Sequence, residues 1–212
     1  MTKKIFWENP YLTELETVIE TVQEELVTVR ETIFYAFSGG QESDRGTIGG
    51  YSVLSAMKDG KQIYYQLPNQ HAFQAGDAVH MTIDWERRYR LMRLHFAAEL
   101  VLELVCHRFP EVVKVGAHIA EEKARIDFLM DQTISPFIMK LQEAAQQIVD
   151  ADEEIISAFS DEINERRYWK IKAFAKVPCG GTHIKRTSEI GRIRLKRCNP
   201  GKGRERIEIY VL

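Results

Sequence analysis

No apolar run in this 212-residue chain approaches the roughly 20 residues that a bilayer-crossing helix requires, so no membrane span is expected. The first residues, Met1-Thr2-Lys3-Lys4-Ile5-Phe6-Trp7-Glu8, hold two lysines with no apolar stretch behind them, which argues against a secretory signal. Cysteine is scarce. Cys106, Cys179 and Cys198 are odd in number and widely spaced, which excludes a disulfide framework and points to a reducing cytoplasm. No internal repeat or low-complexity segment is visible, and a net charge of −2 excludes a general attraction to nucleic acid.

What is present is the composition of an ordinary globular protein, 44% hydrophobic and 28% charged, long enough for one large domain or two small ones. The charge is unevenly placed. Residues 1–31 carry Glu8, Glu14, Glu16, Glu20, Glu24, Glu25 and Glu31 against Lys3, Lys4 and Arg30. Residues 184–206 carry Lys185, Arg186, Arg192, Arg194, Lys196, Arg197, Lys202, Arg204 and Arg206 against Glu189 and Glu205. A basic end on a nearly neutral chain fits either a localised polyanion contact or a solvated strand and loop face.

The patterning divides the chain near Trp85. Residues 11–35 are rich in Thr, Val and Ile, which favours a strand, although the glutamates leave a helix open around 13–25. A loop rich in turn residues, Ser38 to Gly50, precedes expected strands at Tyr51–Lys58, Lys61–Leu67 and Ala78–Asp84, with Asp59-Gly60 as a hairpin turn. This succession predicts a small antiparallel barrel or curled sheet over 1–85. Residues 86–108 lack Gly and Pro, and Met92, Phe96, Leu100 and Leu104 recur at helical spacing. Short strands are expected at Val112–Val115 and Arg125–Met130. A helix should start at Ser135-Pro136, with the serine as cap, and run to about Ala151; a further helix is expected from Asp152 or Glu153. Tyr168–Val177, Ile190–Lys196 and Arg206–Val211 read as strands, the last two flanking the Gly201-Lys202-Gly203 turn. The fold class is therefore α+β, with a barrel-like domain over 1–85 and a helix-and-antiparallel-sheet domain over 86–212.

Two pairs of residues carry ligand chemistry. His95 and Glu99 stand four apart on the long helix, on one face with Cβ atoms about 6 Å apart. Cys179 and His183 are separated by Gly180, Gly181 and Thr182, a turn on which a thiolate and an imidazole can converge. Together they offer two nitrogens, one sulfur and one carboxylate, a tetrahedral set suited to Zn²⁺ rather than Mg²⁺ or Ca²⁺. Taken alone, a histidine on an apolar helix face is more often a satisfied core residue. Cys106 lies three turns along the helix from His95, about 16 Å away, and belongs to packing. His71, His80, His107 and His118 have no second member at ligand spacing.

Several short motifs, in order, carry a resemblance. Cys179-Gly180-Gly181-Thr182-His183, then Thr187-Ser188-Glu189-Ile190-Gly191 and Gly201-Lys202-Gly203-Arg204-Glu205-Arg206-Ile207, closely resemble the editing domain of alanyl-tRNA synthetase, and most of all its freestanding AlaX relatives. Phe34-Tyr35, Ser38-Gly39-Gly40-Gln41, Asp44 and Gly46 resemble the glycine-rich motif of that family's N-terminal barrel. Ile83 to Arg93 resembles the approach to its metal-binding helix. One departure stands out. The family's helix carries a His-x-x-x-His pair, whereas here the second position is Glu99, and Phe96 replaces the threonine usual after the first histidine.

The resemblance implies hydrolysis, in trans, of the ester joining an amino acid to the terminal adenosine of tRNA, with Ser- or Gly-tRNA(Ala) as the expected substrates. A synthetase pocket built for alanine gains only about 1–3 kcal/mol of discrimination from one small group, so a second site that clears errors restores fidelity. On this reading Zn²⁺ is held by His95, Cys179, His183 and Glu99. Glu99 serves either as the replacement ligand or as a general base beside a three-ligand metal, or else marks a weakened or retuned site. Gln41 and the 38–50 loop would face the ester. Arg87, Arg88, Arg90, Arg93, Lys185, Arg186, Lys202 and Arg204 become candidates for tRNA phosphates, with no DNA or membrane partner expected. The alternatives are a metal-dependent hydrolase of another small ester or amide, and a tRNA-binding protein without catalysis.

Overall fold

Alternating burial along successive strands organises the first third of the chain. The computed structural model describes residues 1–212, in two units: Met1–Ser38 with Glu42–Tyr89, and Gly39–Gln41 with Arg90–Leu212. In the first unit, β1 (Lys3–Lys4) and the single-turn α1 (Ile5–Glu8) precede β2 (Glu14–Gln23), β3 (Leu26–Val29) and β4 (Glu31–Thr32). Then come β5 (Gly46–Ile48), β6 (Tyr51–Ser52), β7 (Ser55–Asp59), β8 (Gln62–Gln66) and β9 (Ala78–Ile83). Seven of these form one antiparallel sheet, ordered β6-β5-β9-β2-β3-β8-β7, a curled sheet with β6 and β7 at its ends. Ile19, Val27, Val29, Ile48, Ile63, Tyr65 and Met81 are buried on its inner face.

Residues 13–25, where a helix remained open, are strand; Thr17 and Ile19 alternate inward while Glu16 and Glu20 face solvent. The expected strand Tyr51–Lys58 is broken at Val53-Leu54 into β6 and β7. The hairpin turn also shifts by one residue. Asp59 pairs with Gln62, so Gly60, at φ +54°, and Lys61 make the bend. The β2–β3 turn turns on Glu24 at φ +54°, a left-handed residue that no glycine announces.

Within this unit the part of the loop from Glu42 onward is pinned by charge. Arg88, fully buried, donates Nε to Asp44 Oδ1 at 2.8 Å and also binds Asp44 Oδ2, while its remaining donors reach the carbonyls of Pro10 and Ile33. Asp44 in turn accepts the Tyr35 backbone N–H at 2.6 Å.

Helix α2 (Trp85–Arg108) follows, and residues 91–101 are buried on nearly every side, more widely than the stripe at Met92, Phe96, Leu100 and Leu104 implied. The second unit continues with β10 (Val113–Ile119), β11 (Ala124–Leu129), α3 (Ile138–Asp150), β12 (Ile156–Asp161), β13 (Arg166–Ile171), β14 (Ala175–Pro178), β15 (Ile193–Cys198) and β16 (Arg204–Val211). Two antiparallel sheets result, β10-β11-β16-β15 and β12-β13-β14.

Three local expectations are corrected. Ser135 and Pro136 form a 3₁₀ turn ahead of α3, and Ser135 does not cap it; its own N–H is taken by Thr133 Oγ1 at 3.2 Å. No helix begins at Asp152 or Glu153. Asp152 sits at φ +50°, Ile155 N–H bonds to Lys185 O at 2.8 Å, and Ile156–Asp161 pairs with β13 as a strand. The acidic run resembled a helix N-terminus, but the β-branched and aromatic residues behind it find a strand partner. The stretch Tyr168–Val177 is two strands, folded back at Ala173, φ +62°.

Candidate metal centre

Antiparallel register gathers one set of side chains on the small sheet. Ser157 stands opposite Trp169 and Phe159 opposite Arg167; Trp169 stands opposite Val177. Cys179 N–H donates to Arg167 O at 2.9 Å, so Cys179 continues the ladder just beyond β14. Residues two apart on a strand share a face, so Ser157, Phe159, Arg167, Trp169 and Cys179 share this one.

Helix α2 supplies the facing residues. Phe96 meets the Trp169 ring edge-on at 5.1 Å, and Trp169 donates its indole N–H to Glu99 Oε2 at 2.8 Å. His95, one turn earlier, points Nε2 at Cys179 Sγ, 3.5 Å away, and at Glu99 Oε1, 3.5 Å away. His183 returns from the Cys179–His183 segment with Nε2 3.2 Å from the same sulfur. The ligand atoms of His95, Cys179 and His183 all lie within 4.8 Å of one another, and Glu99 stands at the edge of that trio.

The far side of each imidazole is held. His95 Nδ1 lies 2.6 Å from Gln41 Oε1, an acceptor, so Nδ1 carries the proton of that bond and Nε2 faces the trio. Gln41 is fixed in turn by its amide donating to Thr182 Oγ1 at 2.9 Å. His183 Nδ1 lies 2.8 Å from Ser157 Oγ. This is the outer arrangement that metal-binding histidines use to fix ring orientation. Gly181 makes the approach possible: a Cβ there would lie 1.9 Å from His95 Cε1 and 2.5 Å from its Nδ1. Gly40, at φ +90°, serves the Gln41 segment similarly, since a Cβ would lie 2.5 Å from Ala117 O.

The electrostatics follow from this crowding. Burial works against a charge on His95, but the Cys179 sulfur and the Glu99 carboxylate outweigh it and raise its pKa to about 10. Burial likewise opposes the Glu99 charge, yet His95 and the Trp169 donor bring its pKa down to about 2. His183 is driven well below the usual imidazole value by burial and by the neighbouring His95 charge. Two imidazole nitrogens facing a sulfur, each ring anchored from behind, suit a borderline-soft cation such as zinc.

With this geometry in place, comparison with known proteins decides the family. Residues 4–87 match the family described as tRNA synthetases class II (A), and residues 168–208 match the threonyl and alanyl tRNA synthetase second additional domain. The chain is 34% identical over its whole length to an alanyl-tRNA editing protein AlaX-M of Pyrococcus horikoshii, covering 98% of that protein. The chain belongs to the AlaX-M family. A second AlaX-M, from Methanosarcina barkeri, is 28% identical over 98% of both chains. An alanine–tRNA ligase of Staphylothermus marinus is 33% identical over 92% of this chain, which spans only 24% of the ligase.

The other candidate residues are placed as follows. Arg88 is inaccessible, its guanidinium consumed by Asp44, Pro10 and Ile33, so it is removed from the phosphate-binding set. Arg87 is buried against Glu42, at 2.7 Å, and the Ser43 carbonyl. Arg93 is half-buried and binds Ile190 O at 2.7 Å and Leu212 O at 3.0 Å. Arg186 is exposed and paired with Asp152 at 2.7 Å. Arg90, Lys185, Lys202 and Arg204 are exposed. Reading the sequence did not single out Ser157, Arg167, Trp169 or Thr182. The period-two alternation of 157–159 and 167–169 was the available signal, obscured by the helix expected from Asp152 or Glu153. No helix of this AlaX-M family member is long and apolar enough to cross a membrane.

Proposed function

We propose that this chain deacylates mischarged tRNA(Ala) in trans, with Ser- or Gly-tRNA(Ala) as substrate and Zn²⁺ as its metal, in the cytoplasm. The observation that carries the reading is the convergence of the His95, Cys179 and His183 ligand atoms within 4.8 Å. The names of the AlaX-M relatives support the reaction class. Residues 1–85 would form the accessory domain and 86–212 the editing domain.

When bound, zinc would orient the substrate's amino or hydroxyl group, or acidify a water. His95, Cys179 and His183 hold it, with Glu99 as the fourth ligand. Gln41, buried behind His95, positions that ring instead of reaching the ester. Arg90, Lys185, Arg186, Lys202 and Arg204 remain the exposed candidates for tRNA phosphates.

The deciding experiment compares hydrolysis of Ser-, Gly- and Ala-tRNA(Ala) with that of an unrelated aminoacyl-tRNA, alongside metal analysis. Faster hydrolysis of the mischarged species and about one metal ion per chain are expected. No acceleration on any of them removes the editing function.

A further inference from the structure

Four bases from the 184–206 stretch share one surface, which includes none of the metal-centre residues. In the sheet β10-β11-β16-β15, side chains such as Ile126, Phe128, Leu195 and Ile207 turn inward and are buried. The alternate positions form the other face. There Lys196 stands opposite Glu208, Glu208 opposite Arg125, and Arg206 opposite Asp127. Arg194 and Arg204 stand opposite Tyr210 and Leu129, so no acid faces either of them across the strands. Arg194, Lys196 and Arg204 are exposed.

Two carboxylates hold four cations of this face in place. Asp127 binds Arg206 at 2.5 Å and Arg125 at 2.6 Å, while Glu208 pairs with Lys123 and, at 4.0 Å, with Lys196. Each acid is shared, so each trio keeps a net positive charge, and Arg194 and Arg204 add to it. The Arg194 guanidinium lies 4.6 Å over the Tyr210 ring, whose hydroxyl donates to Glu208 at 2.9 Å. Pleating sets these side chains about 4.8 Å apart across the strands and about 7 Å apart along them. The outward residues of β2 in the first unit are instead Glu14, Glu16 and Glu20, so positive charge is not a general property of this protein's sheets. The free edge of β15 is already taken. Ile193 and Leu195 donate their N–H groups to Gln146 and Gln142 of α3, at 2.9 and 2.8 Å. A further strand cannot add there, which leaves the face to meet a partner.

We propose that this sheet face binds the phosphodiester backbone of the tRNA, positioning the substrate without reading its bases. The proposal rests on the aminoacyl-tRNA reading above. A rigid plane of cations with excess positive charge is complementary to a polyanion, and phosphate contacts of this kind fix register and orientation. A lipid surface takes up apolar side chains as well as cations. The row Arg125–Glu208–Lys196, by contrast, is wholly charged.

The test measures binding of an unacylated tRNA(Ala) transcript to the full chain by fluorescence anisotropy, across about 50–200 mM salt. Each cation removed from a phosphate contact should flatten the log–log salt dependence by about one. Arg194→Gln combined with Lys196→Gln should therefore flatten it by about two, with metal content and thermal unfolding unchanged. Lys170→Gln combined with Lys172→Gln removes the same charge from exposed positions outside this sheet and should leave the slope as it was. An unchanged slope in the first variant, or equal flattening in the second, would overturn the proposal. So would loss of binding to phosphatidylserine vesicles with tRNA binding intact, which would assign the face to a lipid surface. Failure of the deacylase reading shows separately, as protein that binds tRNA with this salt response yet hydrolyses no aminoacyl-tRNA. Hydrolysis of mischarged tRNA by a protein whose face variants bind it normally would sink the proposal alone.

Discussion

Trp169 donates to one oxygen of Glu99 at 2.8 Å, while the other oxygen of the same carboxylate lies 3.5 Å from His95 Nε2. The indole therefore sets the rotation of the carboxylate and turns Oε1 toward the imidazole pair. If Glu99 acts as a ligand, Trp169 is its outer partner, and losing such partners commonly weakens metal affinity about 10–100-fold. Trp169→Phe should lower zinc affinity by that order in a chelator competition, with circular dichroism reporting retained fold. Glu99→Ala should lower it further. Full metal binding in Glu99→Ala combined with slow hydrolysis would instead assign Glu99 the role of general base.

The two central glycines of Cys179–His183 should respond oppositely to one methyl group. At Gly181 a Cβ would collide with the His95 ring at 1.9 Å, whereas at Gly180 nothing lies within 4 Å. Gly181→Ala should displace His95 and abolish both metal binding and hydrolysis. Gly180→Ala should keep both within about twofold, a change of under 1 kcal/mol. Metal content of the two purified variants checks the contrast. Equal tolerance at both positions would mean that the segment shifts away from His95 at little cost.

Much of the fold was legible because alternation and helical spacing report burial directly. The curled sheet and the long helix follow from residues such as Ile19 and Phe96, whose neighbours fall on the expected faces. Spacing also brought the pairs His95–Glu99 and Cys179–His183 into view. What stayed hidden depends on contacts distant in sequence. Asp152–Glu154 looked like a helix start, yet Ile155 finds its partner at Lys185 and β12 finds its partner in β13. Ser157 and Arg167 enter the site only through that pairing. The Arg88–Asp44 pair spans 44 positions, so a buried arginine looked like one more surface cation.

The two histidines should give the metal-free protein a stability maximum in pH. The His95 pKa rises on folding from about 6.5 to about 10, so its stabilisation is complete below pH 6.5 and disappears as pH climbs toward 10. His183 moves the other way. Folding depresses its pKa, so stability falls once pH drops below about 6.5 and the unfolded imidazole takes up a proton that the folded one refuses. Glu99, held at about 2, adds a further loss as pH falls from about 4.5. Urea unfolding in chelator across pH 4–10 should therefore peak near 6.5, and His183→Asn should flatten the acid side. Metal competes with the His95 proton at Nε2, so zinc uptake should also tighten as pH rises.

Arg88 and Asp44 make the last case, since both are buried and neither side chain reaches solvent. Arg88→Met leaves the Asp44 carboxylate buried without its bidentate partner, although the Tyr35 N–H remains. Breaking a buried pair from one side typically costs about 3–5 kcal/mol, because the surviving charge is left uncompensated. Urea unfolding of Arg88→Met and of Asp44→Asn should each show a loss of that order. The double variant should lose less than the two together, because neither charge is then stranded. Strict additivity would mean that the pair contributes nothing beyond its separate backbone contacts. A phosphate-binding role for Arg88 would instead leave stability intact and reduce the salt dependence of tRNA affinity. Buried as it is, Arg88 should leave that salt slope unchanged, while neutralising exposed Lys202 and Arg204 should flatten it.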